Sequence, residues 1–422
     1  MKKLLIYLIL FIPLLSQAAF DDHFLNKTLR IDYTHCGNDK AEVYAMDEFF
    51  QEPTWDRSKS MMVEAFDYGK YKFVAYDSAE NELLFEKHYS TLFGEWQTTT
   101  EAKTTWKSFS ETVLMPLPKL TIRVEFYSRT KKGLWEKKFS TYINPTSILI
   151  SKETKYIVKT TRTWFSGNPS EKLDIVIIAE GYKKYELMKF RGDAQRFTNI
   201  LLGCDPFSGL KDRINIWAVQ SVSEESGTDI PGEGIWKNTI MNSNFFTFGS
   251  ERYLTTQDNK TVRHIASNAP YDLIVVLVNT DKYGGGGFYN SIGVCSSHNE
   301  LSDFVFVHEF GHEIAGLGDE YYVGDVAMQN FYPADIEPWE PNLTTLINFD
   351  VKWKNMLEPY TPVPTPDEEK YEGKLGVFEG GGYSRKGVYR PMSDCTMKST
   401  TYNNFCPVCK KAISEMIEYY SK

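Results

Sequence analysis

The sequence predicts a chain with two architectures, an all-β sandwich over residues 19–150 and an α/β domain over residues 151–422. The first part has short alternating runs rich in Thr, Tyr, Phe and Val, and turn-like segments separate them. Such spacing is typical of antiparallel strands in a sandwich. The second part has continuous apolar runs that are followed by helical spacing, which favours buried strands alternating with helices.

Each element of this prediction depends on a local pattern. Buried strands are expected at 173–182, 214–222 and 271–280, because each is a continuous apolar run. Apolar residues at helical spacing predict a helix after the first of these strands, and another at the end of the chain. The strand-like runs of the first part are TLRIDYTHC, AEVYAM, YKFVAYDS, ELLFEKHYS, KLTIRVEFYSRT and WEKKFSTYI.

Charge and the N-terminal residues narrow the class of protein. The chain has 422 residues and a formal net charge of -9, which argues against a nucleic-acid partner. Residues 1–18 combine two lysines, a short apolar run and small residues at Ser16 and Ala18, which predicts a signal peptide. Without a cysteine at the cleavage site or a later long apolar run, we expect a secreted or periplasmic chain with no transmembrane segment.

Three of the six cysteines, Cys395, Cys406 and Cys409, cluster near the C-terminus. A structural zinc site needs four ligands, and no fourth ligand lies nearby in the sequence. Export makes disulfides possible. We therefore expect a disulfide from Cys395 to Cys406 or to Cys409.

The segment HEFGHEIAGLGDEYY, residues 308–322, predicts a zinc site. On a helix, His308 and His312 lie one turn apart on one face, so both imidazoles can reach one metal ion. Glu309 lies beside them, where its carboxylate can take a proton from a metal-activated water. The alternative is a chance occurrence of this pattern on a core helix.

The third ligand is predicted from the end of the helix. Gly316 can adopt the left-handed conformation that ends a helix, and the chain then returns towards the metal. Asp319 follows seven residues after His312, one more than in the compact HExxHxxGxxH pattern, and it is the expected ligand. Glu320 and a downstream acid such as Glu379 are the alternatives, and Asp319 could instead bond backbone amides.

Two further segments have open interpretations. The glycines of YGGGGFYNSIGV (283–294) allow close backbone approach, so this segment either holds an extended peptide at a sheet edge or forms a surface loop. Tyr389, and less strongly Tyr383, could stabilise a carbonyl oxyanion, although either tyrosine could simply pack in the core.

Together these segments resemble bacterial IgA-peptidase-type zinc metallopeptidases (peptidase family M64). The resemblance covers HEFGHEIAGLGDEYY, LDIVIIAEGY, the glycine-rich segment, FEGGGYSRKGVYRPMSDCTMKS and FCPVC, and it extends to the N-terminal sandwich. It implies a metzincin-like catalytic domain in which His308, His312 and Asp319 bind zinc and Glu309 is the general base. It also implies that Met397 lies beneath the zinc, with Cys395 as a disulfide anchor.

The expected function is that of a secreted zinc endopeptidase acting on host or extracellular proteins or glycoproteins. IgA as the substrate depends on the family name alone. The alternatives are a zinc hydrolase of a non-peptide amide and a catalytically silent surface or glycan-binding protein. The intact Glu309 argues against the last of these, because a silent protein has no need of the base.

Overall fold

The computed structural model describes residues 20–322, 332–401 and 404–422. The predicted signal peptide, residues 1–18, lies outside them. The N-terminal part is rich in strands, which form two four-stranded sheets with the orders β5-β1-β2-β8 and β4-β3-β6-β7. Its elements are β1 (Phe24–Gly37), β2 (Glu42–Glu52), β3 (Tyr71–Asp77), β4 (Leu83–Tyr89), α1 (Leu92–Trp96), β5 (Lys107–Pro118), β6 (Ile122–Arg129), β7 (Trp135–Ile143) and β8 (Ile150–Ser151).

Alternating side chains of these strands build one apolar core. Leu29, Ile31 and Tyr33 on β1 share a buried cluster with Phe73 on β3 and Phe126 on β6. Residues two apart on a strand point to the same face, so Leu29, Ile31 and Tyr33 reach the core together, while Arg30 and Asp32 between them are buried on the opposite face. The core therefore joins residues from both sheets.

Strand β5 was not among the strands predicted from the sequence. It pairs antiparallel with β1 along nearly its whole length and forms the edge of the first sheet. Pro116 and Pro118 near its end obscure the strand pattern, because proline lacks the N–H that a ladder needs. An edge position tolerates them, since one side of the strand has no partner strand.

The C-terminal part is built on a six-stranded mixed sheet with the order β13-β14-β12-β10-β11-β9. The central pairs are parallel, and the edge strands β9 and β13 run antiparallel to their neighbours. A separate hairpin joins β15 and β16. The strands are β9 (Thr160–Trp164), β10 (Leu173–Glu180), β11 (Ile214–Val219), β12 (Leu273–Val278), β13 (Gly285–Gly287), β14 (Gly293–Ser296), β15 (Phe378–Gly381) and β16 (Ser384–Arg390).

Strands β10, β11 and β12 are buried at every residue, and they fall within the three runs that predicted buried strands. Helices cover the sheet, as expected when both faces of a parallel strand are apolar. The mixed α/β fold predicted for this part is therefore confirmed. The helices are α2 (Leu187–Gly203), α3 (Asn259–Ala266), α4 (Ser302–Ala315) and α5 (Pro407–Tyr420).

Helix α4 lies at the centre of the larger core. Phe306 of α4 packs against Phe197 of α2, with ring centroids 4.9 Å apart, and both belong to the cluster that also contains Ile413 of α5. This packing fixes α4 between the sheet and two helices. Within the described ranges, none of the helices has the length and apolar character needed to cross a membrane.

Buried polar contacts join the two parts of the chain. The Nη2 of Arg57 donates to the carbonyl oxygen of Tyr271 at 2.9 Å, and the hydroxyl of Tyr289 donates to Glu64 at 2.7 Å. The change from the first sheet to the mixed sheet falls between β8 and β9. The domain boundary after residue 150 stays a prediction.

Candidate metal centre

The site is built on α4 and the turn that follows it. The apolar face of α4, which includes Val305, Phe306 and Phe310, is buried in the core. Gly316 caps the helix with φ 58° in the left-handed region, so the predicted helix end is confirmed. A β-carbon at this position would also lie 2.6 Å from the ring of Trp339, which leaves room for glycine only.

The turn after Gly316 brings Asp319 back to the two histidines. The Nε2 atoms of His308 and His312 lie 3.2 Å apart. Oδ1 of Asp319 lies 3.1 Å from Nε2 of His308 and 3.4 Å from Nε2 of His312. We call these three residues the histidine cluster, since their ligand atoms all lie within 4.8 Å of one another.

The hydrogen bonds of the rings show what the histidine cluster can bind. Nδ1 of His308 donates to the carbonyl oxygen of Thr396, and Nδ1 of His312 donates to that of Leu317. With its proton on Nδ1, a neutral imidazole has a lone pair on Nε2. Oδ1 of Asp319 is buried without a hydrogen-bond donor. Three acceptor atoms thus meet at one point, which fits a cation with nitrogen and oxygen ligands such as zinc.

The charges of the site also favour a bound cation. Burial lowers the pKa of His312, but Asp319 and Glu309 outweigh it and raise this pKa to about 10. Burial raises the pKa of Asp319, but the two histidines hold it well below its ordinary range. Positive charge at the Nε2 atoms is therefore favoured, and a bound metal ion would supply it.

Glu309, the base expected from the sequence, is buried beside the histidine cluster. It lies next to His308 on α4, and burial raises the pKa of its carboxyl while His308 and His312 oppose the rise. Strand β13 packs closely against it, because a β-carbon at Gly285 would lie 2.9 Å from Cγ of Glu309. A β-carbon at Gly287 would lie only 2.3 Å from the carbonyl oxygen of Glu309.

Close packing against α4 explains why positions 285 and 287 of the glycine-rich segment are glycines. Part of the outer side of β13 is also covered, because Tyr253 forms a parallel bridge with Gly285 and Leu254 N–H donates to the Gly285 carbonyl oxygen. The sheet edge proposed for a substrate is therefore filled at Gly285. A substrate role for the rest of the segment stays a prediction.

Tyr383, the weaker of the two tyrosine candidates, lies at the site. Its hydroxyl donates to Oδ2 of Asp319, which leaves Oδ1 facing the histidines. Its ring lies 5.4 Å from that of Tyr321, and the guanidinium of Arg252 lies 5.9 Å from the Tyr321 ring centroid. Sequence reasoning missed Arg252, which belongs to no recognisable motif, and it gave no role to Tyr321, although this residue lies within HEFGHEIAGLGDEYY.

Tyr389 has its contacts elsewhere. Its backbone on β16 exchanges hydrogen bonds with Thr344, and its ring packs against the larger core. Burial and the charge of Glu379 raise the pKa of its hydroxyl. Its catalytic role stays a prediction, and none of these contacts involves the histidine cluster.

The N-terminal part also contributes a charged group near the site. Glu95 on α1 accepts a hydrogen bond from the hydroxyl of Tyr253. Burial raises its pKa to about 7, and His312, Glu309 and Asp319 act on it electrostatically. The N-terminal sheets therefore place an acid within electrostatic reach of the histidine cluster, which no sequence pattern indicated.

The C-terminal cysteines differ from the expectation. Cys395, Cys406 and Cys409 are all free thiols, so the predicted disulfide from Cys395 is wrong in this structure. They lie around the carboxylate of Glu320 instead. The sequence suggested no fourth ligand because Glu320 is far from the cysteines along the chain.

Met397 lies next to α4. It is fully buried, and a β-carbon at Gly311 would lie 3.0 Å from its Sδ. Its carbonyl oxygen accepts a hydrogen bond from the N–H of Glu320 at 2.8 Å. The segment around Met397 therefore supports both α4 and the returning chain that contains Asp319.

Comparison with known proteins agrees with this geometry. The family model described as IgA Peptidase M64 matches residues 163–372 and 367–417, more than half of the chain. The model described as Peptidase M64 N-terminus matches residues 19–140. A comparison with curated proteins gives no match. The sequence resemblance is thereby confirmed, and the chain, with its α4 motif and its N-terminal sheets, belongs to the IgA Peptidase M64 family of peptidases.

Proposed function

We propose that the chain is an exported zinc endopeptidase that cleaves extracellular proteins or glycoproteins. The observation that carries the proposal is the convergence of two Nε2 lone pairs and Oδ1 of Asp319 beside Glu309. In catalytic zinc sites three protein ligands leave one position open, and a nearby carboxylate acts on water there. The histidine cluster and Glu309 match that requirement.

His308, His312 and Asp319 would hold the zinc ion. When bound, zinc supplies positive charge that polarises a substrate carbonyl and makes water more acidic. The carbonyl oxygens of Thr396 and Leu317 fix the orientation of the two imidazoles, and Tyr383 fixes that of the carboxylate. Met397 beside α4 supports the metzincin-like assignment of the catalytic domain.

Glu309 is the proposed general base. Its carboxylate takes a proton from the attacking water, and its carboxylic acid then donates that proton to the departing amine. Burial raises the pKa of its carboxyl, which makes the carboxylate a stronger base. Tyr389 is the oxyanion group that the sequence suggested. Arg252 is a further cation that acts on Glu309.

A zinc hydrolase of a non-peptide amide would need the same ligands and the same base. A silent binding protein would need neither. Family membership favours a peptide substrate, and the pairing of Glu309 with the histidine cluster favours an active enzyme over a silent one.

The test is the cleavage of proteins by the purified mature chain. We expect fragments from casein, loss of cleavage with a strong chelator, and recovery when zinc is restored. IgA is tested beside casein, because only the family description suggests it. Release of product from a glycan-linked amide, with no cleavage of any protein tested, would replace the peptidase assignment. Protein cleavage that persists after complete removal of metal would overturn the zinc mechanism.

A further inference from the structure

A second group of potential ligands lies behind the histidine cluster. It consists of Glu320, Cys395, Cys406 and Cys409, and we call it the cysteine–glutamate cluster. The ligand atoms all lie within 4.8 Å of one another. All four residues are at most 1% exposed. Three separate segments supply them: the chain after α4, the segment that contains Met397, and the start of α5.

The distances within this cluster are those of a four-coordinate metal site. Zinc–sulfur bonds of about 2.3 Å in a tetrahedron separate two sulfurs by about 3.8 Å, and a carboxylate oxygen lies about 3.5 Å from a sulfur. Sγ of Cys409 lies 3.9 Å from Sγ of Cys395 and 3.5 Å from that of Cys406. It lies 3.5 Å from Oε1 of Glu320. A disulfide would need the sulfurs about 2.0 Å apart.

The hydrogen bonds suit thiolates rather than a disulfide. The N–H of Cys406 donates to Sγ of Cys395 at 3.3 Å, and the N–H of Cys409 donates to Sγ of Cys406 at 3.5 Å. Cys406 is the N-cap of α5, where the helix dipole favours negative charge. Backbone donors and a helix N-terminus thus stabilise the anionic sulfurs that bind metal ions.

A site made of cysteines alone does not explain why the carboxylate of Glu320 is buried among them. Its Oε1 accepts from Asn342 at 3.0 Å, while its Oε2 is buried without a hydrogen-bond partner. Arg390 acts on it electrostatically, but Nη1 of Arg390 donates to backbone carbonyl oxygens. A fully buried carboxylate is costly unless it is paired or binds a metal. A disulfide between any two of the cysteines would leave Glu320 beside an unpaired thiol.

We infer that Cys395, Cys406, Cys409 and Glu320 bind a second zinc ion in a closed structural site. Three thiolates and one carboxylate complete the tetrahedral ligand set and leave no position for water or substrate. The spacing of the ligands suits one ion, and thiolate ligands favour zinc over magnesium or calcium. This inference does not depend on the proposed peptidase function.

The second zinc would act on the first site through the backbone. Glu320 follows Asp319 directly, and Cys395 precedes Thr396, whose carbonyl oxygen holds His308. Neighbouring residues of an extended chain point to opposite sides. One segment therefore presents Asp319 to the histidines and Glu320 to the cysteines. Fixing the cysteine–glutamate cluster fixes the orientation of the histidine cluster.

The inference is tested first on the wild-type chain. We expect two zinc ions per purified chain, one for each ligand group. After denaturation with a chelator and without reductant, Cys395, Cys406 and Cys409 should all be alkylated, as peptide mass mapping would show. A disulfide among these three cysteines would overturn the inference, and so would a single zinc ion per chain that is lost when His308 and His312 are replaced by alanine.

Two variants separate this site from the histidine cluster. The His308→Ala/His312→Ala variant should keep one zinc ion, and cobalt in its place should give thiolate-to-metal charge-transfer absorption. Cys409→Ser should lose one zinc ion and that absorption, whereas Cys36→Ser, a control on β1, should keep both ions. Loss of all zinc from the histidine variant, or cobalt binding without thiolate absorption, would contradict the assignment.

Discussion

The histidine cluster and the cysteine–glutamate cluster are joined at Asp319 and Glu320 but differ in their exposure. The side chains of His308 and His312 are 13% and 17% exposed, whereas the four residues of the other cluster are at most 1% exposed. The proposed base, Glu309, lies beside the histidine cluster. An accessible metal with an open position can perform chemistry, and a closed set of four ligands can only stabilise the fold.

Adjacent residues connect the two clusters. Asp319 and Glu320 form one such pair, and Cys395 and Thr396 form the other. A substitution on one side of either pair should therefore affect a different property from a substitution on the other side. This separation is what the following variants test.

The largest effect is expected for Asp319→Ala. It removes the carboxylate that completes the histidine cluster, so the chain should lose one zinc ion and its cleavage of casein should fall below detection. Glu320→Ala should leave the zinc of the histidine cluster in place, weaken the second zinc and lower the melting temperature. Zinc analysis, casein cleavage and thermal unfolding of both variants check this.

The Asp319 and Glu320 variants are each other's control, because the residues are adjacent. If Glu320→Ala loses the zinc of the histidine cluster while Asp319→Ala retains it, Glu320 is the third ligand of that cluster. The sequence left this alternative open, as it did a downstream acid such as Glu379. Glu379 lies on β15, and its Oε1 accepts from the N–H of Gly387.

Glu309→Gln should lower cleavage about a thousandfold and leave zinc content and melting temperature unchanged. The amide keeps the shape of the side chain but cannot take a proton from water, and general base catalysis contributes about a hundredfold to ten-thousandfold. Rate measurements with casein check this. Glu300→Gln, an exposed change just before α4, is the matched control and should cleave at the wild-type rate.

Unchanged cleavage by Glu309→Gln would remove the assigned base. Loss of zinc from this variant would mean that Glu309 is a ligand. The histidine cluster would then have four protein ligands and no open position, like the cysteine–glutamate cluster.

The sequence could predict that His308, His312 and Asp319 come together, because these residues are close along the chain, while their role as metal ligands stays a prediction. His308 and His312 are one helical turn apart, and Gly316 and Asp319 follow in the turn that comes directly after the helix. The cysteine–glutamate cluster could not be predicted in this way, since the approach of Glu320 to the cysteines depends on how α5 packs against α4. The same limit applies to Arg252 and Glu95, which reach the site only through the packing of distant segments.

The two tyrosine candidates show a similar limit. They lie close to each other in the sequence, and a strand pattern alone cannot say which one faces the histidine cluster. Tyr383 has a positive φ of 63°, and this turn between β15 and β16 directs its hydroxyl to Asp319. Tyr389 lies further along β16, where its backbone pairs with Thr344.

Tyr383→Phe should lower zinc affinity at the histidine cluster by about tenfold to a hundredfold, as expected for groups that orient metal ligands. It removes the hydrogen bond to Oδ2 of Asp319 and leaves the ring in place. Competition with a chelator measures the affinity. Tyr389→Phe is the control and should keep it. If Tyr389→Phe instead lowers the cleavage rate at full zinc occupancy, the catalytic role that the sequence suggested for Tyr389 is correct.

The smallest effect is expected for Met397→Leu. Met397 lies between the clusters, with its Sδ close to Gly311 and its carbonyl oxygen bonded to the N–H of Glu320. Leucine has a similar volume and preserves the backbone hydrogen bond, so the free energy of unfolding should fall by less than about 1.5 kcal/mol, with both zinc ions kept. Thermal unfolding and zinc analysis check this.

Gly311→Ala is the contrasting variant, because its β-carbon would press against Met397 and the ring of Phe405. Loss of zinc from Met397→Leu would show that the sulfur itself is needed, and the two clusters would then depend on this side chain as well as on their shared backbone.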